Sequence, residues 1–412
     1  MSITRLKIRK TDKFAVLCIE DRRRSMPGRI MKYRFFFAGV LSALPFLAGC
    51  DPMDLDPGQP EDPPYVSLEE VAQLLSSVAL GTPQMEEVRD AASASAGNGY
   101  DEEYRMQELF ASPGTGVGNS APTKAGGYAR PLRELLREAA LSTKAGASGP
   151  EAWLDSLSTS DVQIYWPFSE DWDGETLPVI TYDPGDGALR NEGYALMPDG
   201  TVEKVMVDEQ MASERPVWVV NRNSDADYRT LELRRREDPA WGSGGGDIVV
   251  KSDAGDFRTL ILRSFKANRQ YDSWFCGASE FFVKIGAVED FTAATEAELR
   301  LYEPSITDFM IVVRRKQVGE SVPFNAILVS EWTQQLSSCA FMIVEDDGGT
   351  RTTWDCSATV KVNSKSYGFD IKIPLYSRDD IVWRGSLSHT FIEKNSGRRA
   401  SFGDVDLVLE LV

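Results

Sequence analysis

Histidine is almost absent: the 412-residue chain contains one, His389. Multi-histidine metal centres are excluded, as are histidine-dependent hydrolase clusters that do not use His389 itself. Cysteine is scarce. The five, at positions 18, 50, 276, 339 and 356, form no CxxC pair and no zinc-ligand spacing. Basic charge is short as well, with 45 Lys and Arg against 63 Asp and Glu and a net charge of −18. Eleven of the basic residues fall in the first 50, so the chain beyond carries 34 basic and 60 acidic residues, a net −26. Binding nucleic acid requires a basic patch, so nucleic acid is not an expected partner. No G-x-S-x-G, H-E-x-x-H, phosphate loop or G-x-G-x-x-G stands in a fitting strand–helix context. Beyond residue 50 no apolar run approaches the ~20 residues of a membrane span. No catalytic residue is assigned.

What is present begins with an address. From Met31 the order is a basic stretch (Lys32, Arg34), an apolar run from Phe35 to Leu47, and "LAGC". This is a signal-peptide layout, too short to span a bilayer and interrupted by Pro45. The tail Leu47-Ala48-Gly49-Cys50 resembles the lipobox of bacterial lipoproteins. The resemblance implies acylation of the Cys50 thiol, cleavage before it, and attachment to a membrane through the acyl chains. Residues 1–30 then read as an upstream extension and 31–50 as the signal peptide. Residues 51–66, acidic and proline-rich, cannot bury a core and read as a tether. A similar acidic stretch marks surface transport in some Gram-negative lipoproteins, which implies an outer-membrane, surface-exposed location. An oxidising compartment follows from export.

The fold is expected to be mainly β with an N-terminal helical segment. Ser67 with Glu70 three positions on is a capping box, and Val71, Leu74, Leu75 and Val78 make one apolar stripe. Thr82-Pro83 opens a second helix to about residue 93, "DEEYRMQELF" reads as a third and Pro131 opens a fourth. These helices, over 67–145 with a Gly/Pro-rich linker, are too short to stand alone and are expected to pack on the domain after them. From about residue 160 short apolar or alternating runs recur between turn signals. They predict antiparallel β-sandwich domains over 158–240 and 247–412, divided near "WGSGGGD". In "IVWRGSLSHTF" alternation puts His389 on the apolar side of a strand, as a satisfied core histidine.

In "CAFMIVEDDGGTRTTWDC" the pair Asp347-Gly348 suits a two-residue type I′ turn. Counting outward pairs Cys339 with Cys356 at a non-hydrogen-bonded position, within disulfide range. A Cys339–Cys356 disulfide is predicted, leaving Cys276 as a small buried side chain.

Two stretches are candidate sites. In "IYWPFSEDWDG" the alternation makes Trp166 a core residue and leaves Trp172 in a loop beside Asp171 and Asp173. That trio suits a sugar ring or a cation, against the alternative that Trp172 folds back on the sheet. The stretch "DSWFCGASEFFVKIG" is similar to the "GxSDPYVKV" segment of calcium- and lipid-binding C-two domains, through Gly277, Ser279, Val283 and Lys284. "SRDDIVWRG" and "FGDVDLVLEL" resemble that module's late acidic loop and last strand. The resemblance implies a C-two-like C-terminal sandwich and calcium ligands at Glu280, Asp379 and Asp380, with Asp272 displaced from its expected place. Apart from calcium, no cofactor is expected. The chain also looks like uncharacterised surface lipoproteins of Gram-negative bacteria. The expectation is a lipid-anchored envelope protein, a non-enzymatic binding or structural module with glycan or envelope-protein partners. A polysaccharide hydrolase using paired carboxylates and a calcium-stabilised adhesion protein are the alternatives.

Overall fold

The structure, a computed structural model, describes residues 4–5, 66–111, 127–143, 149–185, 187–197, 200–223, 228–237 and 257–412. The signal, Cys50, residues 51–65 of the tether and the "WGSGGGD" break lie outside the described residues, while Val66, the tether's last residue, is buried in the helical core. Among the described residues no helix is long and apolar enough to cross a membrane. A two-residue strand, β1 (Thr4–Arg5), lies parallel to Tyr367 and Gly368.

Local chemistry sets the helical layer. α1 (Leu68–Ser77) starts at Ser67, whose hydroxyl accepts the Glu70 amide proton. α2 (Thr82–Gly97) has Pro83 in its first turn, and the Gln84 side chain turns back to accept the Gly81 amide at 2.9 Å. The third expected helix divides into β2 (Glu103–Arg105) and α3 (Met106–Phe110), because Tyr104 pairs across to Ile164 in a sheet. α4 (Leu132–Thr143) and α5 (Gly149–Thr159) complete the layer.

The helices rest on a six-stranded sheet. Its strands are β2, β3 (Val162–Tyr165), β4 (Val179–Tyr182), β5 (Arg190–Leu196), β6 (Val202–Asp208) and, after α6 (Glu209–Glu214), β7 (Val217–Arg222). The order is β2-β3-β7-β4-β5-β6, antiparallel throughout except for β4 beside β7. Alternation along the strands explains why both faces are dry. Ile164, Ile180, Trp218 and Val220 face the helices and share a core with Leu74, Leu75, Met85 and Leu136. Tyr165, Val179, Val217 and Val219 face the other way, against Trp274 and Phe275 from the C-terminal half. A strand buried on both faces reads as an unbroken apolar run, as "VWVV" does.

After α7 (Leu231–Glu237) come β8 (Arg258–Ala267), β9 (Ser279–Ala287), β10 (Ser305–Val313), β11 (Val322–Trp332), β12 (Leu336–Glu345), β13 (Arg351–Val362), β14 (Lys365–Tyr376) and β15 (Asp380–Ser388). α8 (His389–Asn395), β16 (Arg398–Phe402) and β17 (Val405–Leu411) close the chain. One sheet runs β1-β14-β13-β12-β9-β10 with β15 also on β12; the other runs β11-β8-β17-β16. Phe265, Phe281, Phe341, Trp332 and Leu407 fill one core between them. Among the described residues 42% lie in strands against 28% in helices; the fold is mainly β with an N-terminal helical segment, and its antiparallel sheets are consistent with a β-sandwich.

The expected hairpin and disulfide are corrected. β12 meets β13 only at Leu336–Val360 and Ser338–Thr359. It then leaves to run between β9 and β15, where Cys339 lies opposite Leu387, while Cys356 lies opposite Ile371 in β14. As an interior strand β12 has Phe341, Met342, Ile343 and Val344 all fully buried, packed in the large C-terminal core, whereas an isolated two-stranded hairpin would leave a face open. The thiols therefore face different strands, and Cys276, Cys339 and Cys356 are all free. The turn differs too. Positive φ falls on Gly348 and Gly349, not on Asp347 and Gly348, and the Asp346 carboxylate holds the Gly348 amide at 2.9 Å. Cys276 is exposed rather than buried, beside the Ser273 hydroxyl at 3.2 Å. The His389 strand ends one residue early: Ser388 caps α8, and the imidazole sits edge-on to Trp332 and 3.3 Å from Glu393.

Candidate functional site

The segment from Gln270 to Ser279 joins the two halves of the molecule and carries the first site residue. The Ser279 hydroxyl accepts the amides of Tyr271 (2.8 Å) and Asp272 (3.3 Å), and the Gln270 side chain accepts the Ser279 amide. These bonds fold the segment into a tight loop before β9. Trp274 and Phe275 project from it into the first sheet, and the Asn221 side chain donates to the Phe275 and Cys276 carbonyls at 3.0 and 2.7 Å. Gly277 has φ +129°, and an added Cβ would lie 2.7 Å from the Asp101 carboxylate that accepts the Ala278 amide. Arg315 clamps the loop by donating to the Gly277 and Asp272 carbonyls.

The loop thereby directs Asp272 at the end of two strands. Asp272, Glu280 at the start of β9 and Glu345 at the end of β12 bring one oxygen each within 4.8 Å of one another. Glu345 is fully buried, and neither of its oxygens has a hydrogen-bond partner; one Asp272 oxygen is in the same condition. Burial, and then the adjacent Asp272, push the Glu345 carboxyl far above the usual carboxylate range, and burial raises Asp272 too. Asp347 next door is pushed up to about 6, by burial and then by Asp272, Asp380 and Asp379. Converging carboxylates with unpartnered oxygens on Glu345 and Asp272 call for a positive charge or shared protons. Oxygens bound to one calcium at about 2.3–2.6 Å lie at most about 5 Å apart, so the spacing fits a single ion. The all-oxygen set suits calcium, magnesium or manganese rather than a thiolate- or imidazole-loving metal.

Of the four calcium candidates in the sequence, Asp272 and Glu280 come together. Asp379 and Asp380 do not complete the trio. Asp379 uses one oxygen to accept the Tyr376 amide at 2.7 Å, and Asp380 pairs with Glu345 only through the strand register. Glu345 was missed because it ends an apolar run, and only the β9–β12 pairing brings it near Glu280.

A basin of about 430 Å³ opens beside the trio. Lys284 lies in it, buried, donating to the Pro374 carbonyl at 2.8 Å with its ammonium 4.9 Å from the Phe282 ring. Two turns form the rim and are zipped together: Arg378 donates its amide to the Gly348 carbonyl, and Ser377 and Thr350 exchange bonds.

The Trp172 stretch is internally satisfied. Trp172 folds back edge-on to Trp166 at 5.9 Å and donates its indole proton to the Thr176 carbonyl. Asp173 accepts from the Thr176 hydroxyl and from the Thr176 and Glu175 amides, which hold it down at about 2. Asp171 pairs with Lys316 of the C-terminal half, as does Glu170 at 3.2 Å. The Lys316 pairs tie the halves together, and Trp172, Asp171 and Asp173 line a cleft of about 150 Å³ formed within the first half.

Comparison with protein-family models, with curated proteins and with solved structures finds no match for the chain.

Proposed function

We propose that the chain is a lipid-anchored cell-envelope protein, held at the membrane through Cys50, whose folded body is a non-enzymatic binding module stabilised by a divalent cation at Asp272, Glu280 and Glu345. The observation that carries the cation reading is Glu345, fully buried with both oxygens unpartnered and facing two further carboxylates. The same burial argues against an acid–base pair: a glycosidase needs its two carboxyls open to substrate, and Glu345 is closed off. The Leu47-Ala48-Gly49-Cys50 run supports the anchor, since several acyl chains at ~0.8 kcal/mol per buried methylene bind a bilayer durably.

Equilibrium dialysis of the detergent-solubilised protein against radioactive calcium tests the cation. One ion per chain, lost in Glu345→Gln, is expected; no bound ion, or binding untouched by the substitution, contradicts it. Labelled palmitate entering the wild-type chain and not Cys50→Ala tests the anchor. Saturable release of reducing ends from a polysaccharide would instead support the hydrolase.

A further inference from the structure

Among the described residues three separate cores are packed, and the smallest depends on two side chains. The helices and one face of the first sheet enclose one core, and the C-terminal sheets enclose another. The third lies on the opposite face of the first sheet, where Tyr165, Val179, Val217 and Val219 gather. Its buried members all come from the first half except Trp274 and Phe275, whose ring centroids lie 4.0 Å apart. The first half grips this wedge through polar contacts as well. Trp274 donates its indole proton to the Leu189 carbonyl at 3.1 Å, Asn221 donates to the Phe275 and Cys276 carbonyls, and the Asp101 carboxylate accepts the Ala278 amide at 2.8 Å.

The members of the carboxylate trio differ in freedom. Glu345 sits in an interior strand, opposite Phe281 of β9 on one side and Asp380 of β15 on the other. Glu280 lies opposite Val312 of β10, and its carbonyl accepts the Asp346 amide at 3.0 Å. Both are held in place by their sheets. Asp272 belongs to no strand; its loop is fixed by the Ser279 hydroxyl and by Arg315. An aspartate side chain is short, so the Asp272 carboxylate moves far from Glu345 only if its loop moves, and Trp274 is two residues along that loop. Repulsion within the trio is therefore relieved at the loop, and the wedge moves with it.

We propose that a divalent cation held by Asp272, Glu280 and Glu345 controls the docking of the two halves, by fixing the 270–279 loop where Trp274 and Phe275 enter the first sheet. The proposal rests on the cation reading above and adds the regulation of that site. The bound ion draws Asp272 toward the two strand carboxylates and keeps the wedge seated. When the ion is removed the like charges repel, the loop relaxes and the third core opens, while the other two keep their packing. The Lys316 pairs with Glu170 and Asp171 stay in place, so the halves loosen rather than part. Such coupling is reciprocal: a seated wedge also tightens the hold on the ion.

Hydrogen–deuterium exchange of the full-length detergent-solubilised protein, in calcium and in chelator, is the test. The reporter is the Ala278 amide, whose acceptor, Asp101, lies across the joint. Calcium should slow its exchange by about tenfold or more, and Glu345→Gln should exchange alike in both conditions. Asn221 lies outside the ion site, so Asn221→Ala, which loosens the wedge from the far side, reads the reciprocal effect. It should weaken calcium binding in equilibrium dialysis by about fivefold or more. If dialysis shows a bound ion and calcium leaves Ala278 exchange unmoved, the coupling is overturned while the cation site stands. Wild-type calcium affinity in Asn221→Ala overturns it equally. Should that variant fail to fold, the wild-type exchange decides alone. No bound ion in dialysis removes the cation site and the coupling together.

Discussion

Asp272 and Glu345 turn carboxylate oxygens toward one another across the end of the C-terminal sandwich, with Glu345 wholly buried and neither of its oxygens hydrogen-bonded. Two unscreened like charges in the interior are strongly unfavourable, so a native chain must supply a proton or a cation there. Asp272 belongs to the loop that also plants Trp274 and Phe275 in the first sheet. The candidate ion site and the joint between the halves therefore meet in one ten-residue segment, 270–279.

That joint makes a packing prediction. Trp274 is 2% exposed and Phe275 fully buried. Trp274→Ala should cost about 3–5 kcal/mol in urea unfolding. Asn221→Ala, which strands the Phe275 and Cys276 carbonyls, should cost about 1–3 kcal/mol. Neither change altering the unfolding midpoint would mean that the halves do not depend on this wedge.

Gly277 gives a sharper version. At φ +129° with Asp101 only 2.7 Å from an added Cβ, Gly277→Ala strains the backbone and displaces the acceptor of the Ala278 amide. The protein should lose more than about 1 kcal/mol, where most glycine-to-alanine changes at ordinary φ are mildly stabilising. Urea titration of the two proteins side by side reads the difference.

Glu102 sets a pH dependence. Burial, followed by Glu170 and Asp101, pushes its carboxyl up to about 8, against the pull of Arg314, while the Ser169 hydroxyl donates to it at 3.0 Å. A folded-state value above the unfolded 4.5 means that the native chain holds the extra proton. The associated stability is complete below about 4.5 and is lost as pH rises through about 8, a fall on the order of a few kcal/mol. Unfolding free energies at pH 5, 6.5 and 8 should decline in the wild type and decline less in Glu102→Gln. Identical slopes would remove Glu102 from the account.

The free thiols predict a labelling order. Exposed Cys276 should react with a maleimide in the native state, slowly, because burial of its sulfur followed by Asp183 and Asp272 lifts the thiol to about 11. Cys339, fully buried, should react only after unfolding. Mass analysis of the unfolded, non-reduced chain should find Cys339 and Cys356 both alkylated; a mass lower by two hydrogens with neither labelled would restore the disulfide.

The capping of α1 by Ser67, the proline opening of α2 and most strands of the C-terminal half were legible, because caps and apolar runs are local signals. β6, in "VEKVMVD", was not, since its first residues are exposed and charged and only Val207 is fully buried. The fate of β12 was hidden for another reason. Its apolar run is compatible with a hairpin to β13, and the preference for β9 and β15 depends on burying both faces at once, a non-local gain that no short window contains. The candidate site divides along the same line. Asp272 and Glu280 lie in the one stretch that resembles a C-two segment, whereas Glu345 joins them only through the β9–β12 register.

The most direct test compares the melting temperature of the solubilised protein in calcium and in chelator. With calcium a hundredfold above its dissociation constant, the ion should add about 2.7 kcal/mol and raise the midpoint by about 3–4 °C. Glu345→Gln should melt at one temperature in both conditions. A wild-type protein that melts identically with calcium and with chelator contradicts the cation site.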